Sequence, residues 1–376
     1  MNKYGRSTVS EFLGDFVVYR NLDPIDARLP FLAEIRQRIG ISATGTPRKT
    51  SPEYARVIAS LLQAASELRE AASKIERVVF VGDTRLNDGT AFQNICLAGN
   101  WPGMAFVASE DEAPPQLEVD QRDAGTLIYA NRWAAIGEFR DFCQEQDFNI
   151  DERTVVLLDL DKTTLGARGR NDKIIDHVRL EAGFQTVSGL LGEDFDPAGF
   201  QTAYERLNQP EYHPFTADNQ DFLVYICLIL GGGLIDLDEL VVEVNSARMV
   251  NFEQFIGYVN QNADRLPTKL GSIHQEVFAR VSQGDPTPFK EFRYKEYETT
   301  AAHMGNLDPA APVEDLLSKT ITITQEVRQA ALTWKSLGVL LFGISDKPDE
   351  ASLPTEALAQ QGWQPIHRIE TDIVGE

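Results

Sequence analysis

Short unbroken apolar runs punctuate the chain, and longer amphipathic stretches separate them. Val78 to Val81, Val155 to Leu158 and Val339 to Ile344 contain no polar residue except Gly343. Such runs fit strands covered on both faces, as in a parallel sheet. Each ends in a polar cluster: Gly82-Asp83, then Asp159-Leu160-Asp161, then Ser345-Asp346-Lys347-Pro348. Met104 to Ala108, Thr126 to Ala130 and Phe16 to Tyr19 are weaker strand candidates. Helical patterns precede the best runs. Ser51-Pro52 reads as an N-cap followed by proline at the first helical position. Val57, Leu61, Ala64, Ala65 and Leu68 then form one apolar face. Val327, Ala330, Ala331 and Trp334 repeat that spacing, and Gly338 supplies the stop. Helices alternating with buried strands predict an α/β fold with a Rossmann-like, mostly parallel sheet.

Residues 171–305 read differently. Asp236 to Val244, Phe252 to Val259 and Ile273 to Val281 predict helices, and buried-strand runs are scarce. The expected organisation is therefore an α/β core of residues 1–170 and 306–376, with a mainly helical insertion hinged near Gly166–Gly169 and Gly305. Glu110 to Asp123, with six acids and Pro114-Pro115, reads as a solvated loop.

Composition narrows the function classes. The chain has 376 residues, with 35 Lys+Arg against 57 Asp+Glu, a formal charge of −22. A protein this acidic lacks the basic footprint of a nucleic-acid binder and is repelled by anionic lipid. Phe222 to Leu230 is too short an apolar run to span a bilayer. Cys96, Cys143 and Cys227 show no paired spacing, so they read as reduced, buried residues of a cytoplasmic protein. The five histidines lack the spacing of a zinc site.

Three polar clusters carry candidate chemistry. Asp159-Leu160-Asp161-Lys162-Thr163 places two carboxylates two residues apart at a strand end, on one side of an extended chain. They can share a hard cation such as Mg²⁺ or divide the roles of nucleophile and general acid; they can also be ordinary turn-capping acids. Gly82-Asp83-Thr84-Arg85-Leu86-Asn87-Asp88 brings two more acids after a strand, with an Asp-Gly turn at Asp88-Gly89 as the plainer reading. Ser345 and Lys347, ahead of Pro348 and an expected helix start, suit phosphate binding or a simple cap.

Together these motifs resemble the haloacid dehalogenase superfamily of phosphohydrolases. Asp159, Asp161 and Thr163 match the D-x-D-x-T of its first motif. Val339 to Ser345 matches the second, and Gly82, Asp83 and Asp88 match the fourth. Lys49 fits the lysine of the third, with Lys347 as a rival. The order along this chain is third, fourth, first, second, which is a cyclic rotation of the family order and implies circular permutation. The resemblance covers about Lys49–Thr164 and Ile323–Ile369. It departs from the family at Lys162, where glycine is common, and an outward side chain is the expected accommodation.

The resemblance implies a Mg²⁺-dependent phosphatase acting on a small phosphorylated substrate. In it Asp159 is the nucleophile and Asp161 the general acid and base. Ser345, Lys49 and Thr163 hold phosphate, and Asp83, Asp88, Asp159 and Asp161 surround the metal. The insertion matches the family's helical caps, which close over the site. A phosphomutase or other phosphotransferase would use the same residues, and a regulatory metal-binding module would keep the fold without turnover. If the chain is permuted, the strands before Asp83 and Ser345 must flank the strand before Asp159, all parallel.

Overall fold

A computed structural model describes residues 1–41, 45–69 and 74–376. Ten strands are present among them: β1 (Asn2–Ser7), β2 (Val17–Val18), β3 (Arg77–Gly82), β4 (Gly103–Ala108), β5 (Leu117–Arg122), β6 (Gly125–Ala130), β7 (Thr154–Asp159), β8 (Ile323–Thr324), β9 (Leu340–Ile344) and β10 (Thr371–Gly375). Seven form the central sheet in the order β2-β9-β7-β3-β4-β6-β5. Every neighbouring pair is parallel except the β5–β6 hairpin at one edge. The structure is thus α/β with a Rossmann-like, mostly parallel sheet. β7 lies between β9 and β3, as the motif order required of the three strands.

The apolar runs explain this centre. All six positions of β7 and all five of β9 are buried. Alternate residues Val78, Phe80, Val155, Leu157, Leu340 and Phe342 enter one core cluster with the helix Pro52–Glu67. Phe106, which points the other way, packs edge-on to Trp133 and close to Phe139. The helix Pro52–Glu67 begins as expected: Ser51 Oγ accepts from the Tyr54 N–H at 3.2 Å, with proline in the first turn. The helix Gln325–Ser336 is followed by Gly338 at φ 81°.

Three features depart from expectation. The loop expected over residues 110–123 contains β5, an exposed edge strand paired antiparallel to β6. A small sheet, β1-β10-β8, joins the two chain ends. The chain divides into two compact units, Met1–His177 with Thr300–Glu376, and Val178–Thr299. The boundaries fall inside the helices Asp172–Leu191 and Lys290–Ala302, not at the glycines near 166–169 and 305. Those glycines do have positive φ, but they serve close packing: a Cβ on Gly169 would stand 2.0 Å from the Glu110 carbonyl oxygen.

The second unit is built of helices around its own core, which includes Phe200, Leu223, Tyr225, Phe255 and Val277. The apolar run at 222–230 lies in its buried helix Gln220–Gly231. No helix among the described residues is long and apolar enough to cross a membrane. Cys96, Cys143 and Cys227 are buried and free, and burial pushes the thiols of Cys96 and Cys143 up to about 12.

Candidate active site

The sheet register assembles the site. Val81 is the partner of Leu158 in the β3–β7 ladder, and Ile344 is the partner of Asp159 in the β7–β9 ladder. Gly82-Asp83 and Ser345 therefore leave their strands at the same level as Asp159. Three strands end side by side, where ligands of parallel sheets bind.

Asp159 is held from behind. The Thr164 N–H and hydroxyl both donate to its carbonyl, at 3.2 and 2.7 Å, and the Leu165 N–H donates to Leu160 O at 2.9 Å. This tight turn passes through Lys162 at φ 61°, a conformation that favours glycine. The Lys162 side chain is only 14% exposed and its Nζ pairs with Asp176 at 2.8 Å, so it is tied down instead of pointing outward. β8 clamps the turn: the Thr324 N–H donates to Thr164 O at 3.0 Å and its hydroxyl to Thr163 O at 2.5 Å.

The Asp159 carboxylate faces two partners. Lys49 Nζ lies 2.5 Å from its Oδ1, and the Thr163 hydroxyl donates to its Oδ2 at 3.2 Å. Thr163 thus orients Asp159. Lys49 comes from the turn ahead of the helix Pro52–Glu67, where the Ser51 N–H bonds to Arg48 O at 2.7 Å and Asn94 Nδ2 holds Thr50 O at 2.9 Å. Its ammonium also stands 2.6 Å from Asp88 Oδ1. The lysine that meets Asp159 is Lys49; Lys347 is buried in the strand-end turn, where its N–H donates to Ser345 Oγ at 3.1 Å. No α-helix begins at Pro348; the next one is the short Glu356–Gln360. Pro348 leads into a single 3₁₀ turn, Asp349–Ala351, so the phosphate cradle expected at a helix N-terminus is absent there.

Asp88 is 1% exposed and opens the helix Asn87–Gly99, which replaces the Asp-Gly turn. Its Oδ2 accepts from the Asp83 N–H at 2.9 Å, the Thr84 N–H at 2.8 Å and the Thr84 hydroxyl at 2.9 Å. Gly82 permits this approach, because a Cβ there would meet Asp88 Oδ2 at 2.6 Å. Asp88 Oδ1 is fully buried and meets the Lys49 ammonium at 2.6 Å, so each oxygen of this carboxylate has a partner.

Ligand oxygens of Asp83, Asp88 and Asp159 all lie within 4.8 Å of one another, and among the described residues no other acid, histidine or cysteine group of three does so. Oxygens around an octahedral Mg²⁺ at about 2.1 Å stand roughly 3 to 4 Å apart. The three carboxylates are therefore close enough together to hold a hard cation, which would share Asp88 and Asp159 with the Lys49 ammonium. The carboxylate of Asp161, expected as a fourth ligand, is outside this group. The reason is local: the strand ends at Asp159 and the chain already turns at Leu160, whose carbonyl accepts from the Thr163 and Leu165 N–H groups, so extended-strand spacing does not apply to Asp161.

Crowding shows in the proton affinities. Burial pushes the Asp159 carboxyl well up from the ordinary range; Asp88 and Asp83 push the same way and Lys49 pulls against them. Burial and the neighbouring Asp88 charge push Asp83 up to about 7. Burial also opposes ionisation of Asp88, but Lys49 and the backbone donors outweigh it and hold that carboxyl low. Lys49 is buried too, yet Asp159 and Asp88 keep its ammonium firmly protonated.

Three further residues carried no signal in the sequence. Arg168 Nε donates to Asp83 Oδ2. Tyr54, 3% exposed, lies in the field of Lys49, Asp159 and Asp88. Thr164 fixes the Asp159 carbonyl. A threonine four residues before Asp88 was the only readable hint of the reciprocal Thr84–Asp88 bonding, in which the Asp88 N–H returns a bond to Thr84 Oγ1 at 3.2 Å.

Comparison with known proteins gives no relative: no family model matches the chain, and no curated protein or solved structure matches it.

Proposed function

We propose that this chain is a Mg²⁺-dependent phosphohydrolase of the haloacid dehalogenase type with circularly permuted motifs. It would cleave a small phosphomonoester through an aspartyl-phosphate. One observation carries the reading. Residues 49, 83, 88 and 159, matched to the motifs in rotated order, converge at the ends of adjacent parallel strands. Lys49 Nζ there bridges Asp159 and Asp88 at 2.5 and 2.6 Å.

The proposed chemistry assigns these residues the roles that the motif resemblance implies. An Asp159 carboxylate oxygen attacks phosphorus, and the bond from phosphorus to the ester oxygen breaks. Asp161, beside Asp159 in sequence and half-buried, donates its proton to the departing alkoxide. Asp161 then takes a proton from water, whose oxygen attacks phosphorus; inorganic phosphate leaves and Asp159 is regenerated. Lys49 and Ser345 neutralise and position the phosphoryl oxygens, while Thr163 fixes the Asp159 rotamer. Asp83, Asp88 and Asp159 would hold the Mg²⁺, which supplies positive charge against the phosphoryl oxygens when bound. The inserted helical unit takes the part of a substrate-selecting cap on its place in the chain alone.

Turnover of an aryl phosphate with Mg²⁺ tests this directly. Activity in the wild type, lost in Asp159→Asn and abolished by EDTA, is the expected result. A purified, folded protein that turns over neither aryl phosphates nor a panel of phosphorylated metabolites would sink it.

A further inference from the structure

Arg168 is presented to the site by backbone that cannot easily move. Its N–H donates to Lys162 O at 2.8 Å, and its carbonyl accepts from the Glu110 N–H at 3.0 Å and from Trp133 Nε1 at 3.1 Å. The next residue, Gly169, lies so close to Glu110 that no side chain fits. The guanidinium so placed donates through Nε to Asp83 Oδ2, and its side chain is 33% exposed. Asp83 is one of the three carboxylates grouped for a cation, and the other two already share Lys49. The negative neighbours of Arg168 also include Asp161 and Asp172.

We infer that Arg168 is a positioning residue that stands in for the divalent cation at Asp83 and sets how tightly that cation binds. The inference rests on the metal site of the proposed function. Two positive groups compete for one carboxylate: an arriving dication must either displace the guanidinium from Asp83 Oδ2 or sit beside it. Both lower cation affinity, since like charges at close range in a half-buried site repel. In return the site keeps Asp83 paired when no cation is bound, which spares it a buried, uncompensated carboxylate. A third-exposed guanidinium displaced in this way has solvent to turn into, so the exchange needs no movement of its anchored backbone.

The test is equilibrium binding of Mn²⁺, followed by electron paramagnetic resonance or titration calorimetry, with no substrate present. Arg168→Gln should bind Mn²⁺ more tightly, by roughly ten-fold for a coupling of ordinary size. Arg168→Lys keeps the charge and should bind nearly as the wild type does. Without cation, Arg168→Gln should melt below the wild type, and saturating Mn²⁺ should close that gap. A merely structural arginine would leave affinity unchanged or weaken it in both variants, and either result overturns the inference. If the wild type itself binds no Mn²⁺ while melting cooperatively, the metal site fails and the inference goes with it. If the wild type binds and Arg168→Gln does not tighten, only the role of Arg168 falls.

Discussion

Two buried charge clusters, one in each unit, invite comparison. In the helical unit Asp221 and Glu296 meet Arg293 and Arg179. Arg293 donates to Asp221 Oδ2 through Nε at 2.6 Å and to Glu296 Oε2 through Nη1 at 2.5 Å. Arg179 Nε reaches Glu296 Oε1 at 3.3 Å, and the Phe289 N–H donates to Asp221 Oδ1 at 3.1 Å. Two acids face two arginines, and both Asp221 oxygens accept a bond. In the α/β unit three clustered acids face only Lys49 and Arg168, and one ammonium serves both Asp88 and Asp159. The first cluster is complete as it stands. The second has one positive charge fewer than it has acids, so it could accommodate a cation.

Removing one acid from each cluster should therefore have opposite effects. Asp159→Asn should lower phosphatase turnover by several orders of magnitude, because a covalent nucleophile has no substitute. The same change relieves crowding, so denaturant unfolding should show stability equal to or above the wild type. A variant that keeps near-normal turnover on every active substrate refutes the assignment. Asp221→Asn should instead cost about 3–5 kcal/mol of stability, since it leaves Arg293 buried beside a neutral partner. A loss well under 1 kcal/mol in urea unfolding would mean that the helical cluster is not the structural lock its geometry describes.

Cation binding separates the clusters again. Mg²⁺ at a hundred times its dissociation constant should stabilise the wild type by about 2.7 kcal/mol. Asp88→Asn, which removes one of the three grouped carboxylates, should abolish that gain, while Asp221→Asn should retain it. Thermal melts with and without Mg²⁺ give the answer, and equal Mg²⁺ shifts in Asp88→Asn and wild type would count against the metal site.

Much of this contrast was legible in the sequence and some was not. β3, β7 and β9 announced themselves because strands covered on both faces must be apolar throughout, and their ends carried Asp83, Asp159 and Ser345. The rotated motif order fixed which strands had to be neighbours, so a contact across 76 positions could be anticipated from local patterns. β5 was missed because five of its six positions are exposed; pairing with β6 makes it a strand, not its own composition. Asp161 falls outside the carboxylate group because extended-chain spacing ends with the strand at Asp159, and the chain turns at Leu160. Arg168 was invisible because Glu110 and Trp133, distant in sequence, aim it. The compact units divide about six residues inside the expected 171–305, because helices run through both boundaries without any break in pattern.

The smallest effect concerns a half-buried acid outside both clusters. Asp349 accepts from the Asn21 N–H at 2.8 Å, and its charged neighbours are Glu350 and Asp23, both acids. Burial pushes its carboxyl up to about 7 from an ordinary value of 3.8. The folded state therefore holds this proton more tightly than the unfolded chain. The stability it contributes is full below the unfolded value and is lost as pH rises through about 7. Asn at this position keeps the acceptor oxygen and cannot ionise. Relative to wild type, Asp349→Asn should gain stability between about pH 5.5 and about pH 8, by on the order of 1 kcal/mol. Paired unfolding curves at the two pH values measure that gain, and a difference constant across the range would contradict it. Mg²⁺ should leave the gain unchanged, because Asp349 lies outside the carboxylate group that can hold a cation. Dependence on Mg²⁺ would show instead that the turn carrying Asp349 responds to the site, and the line drawn here between an uncompensated structural acid and a metal-ready one would have to move.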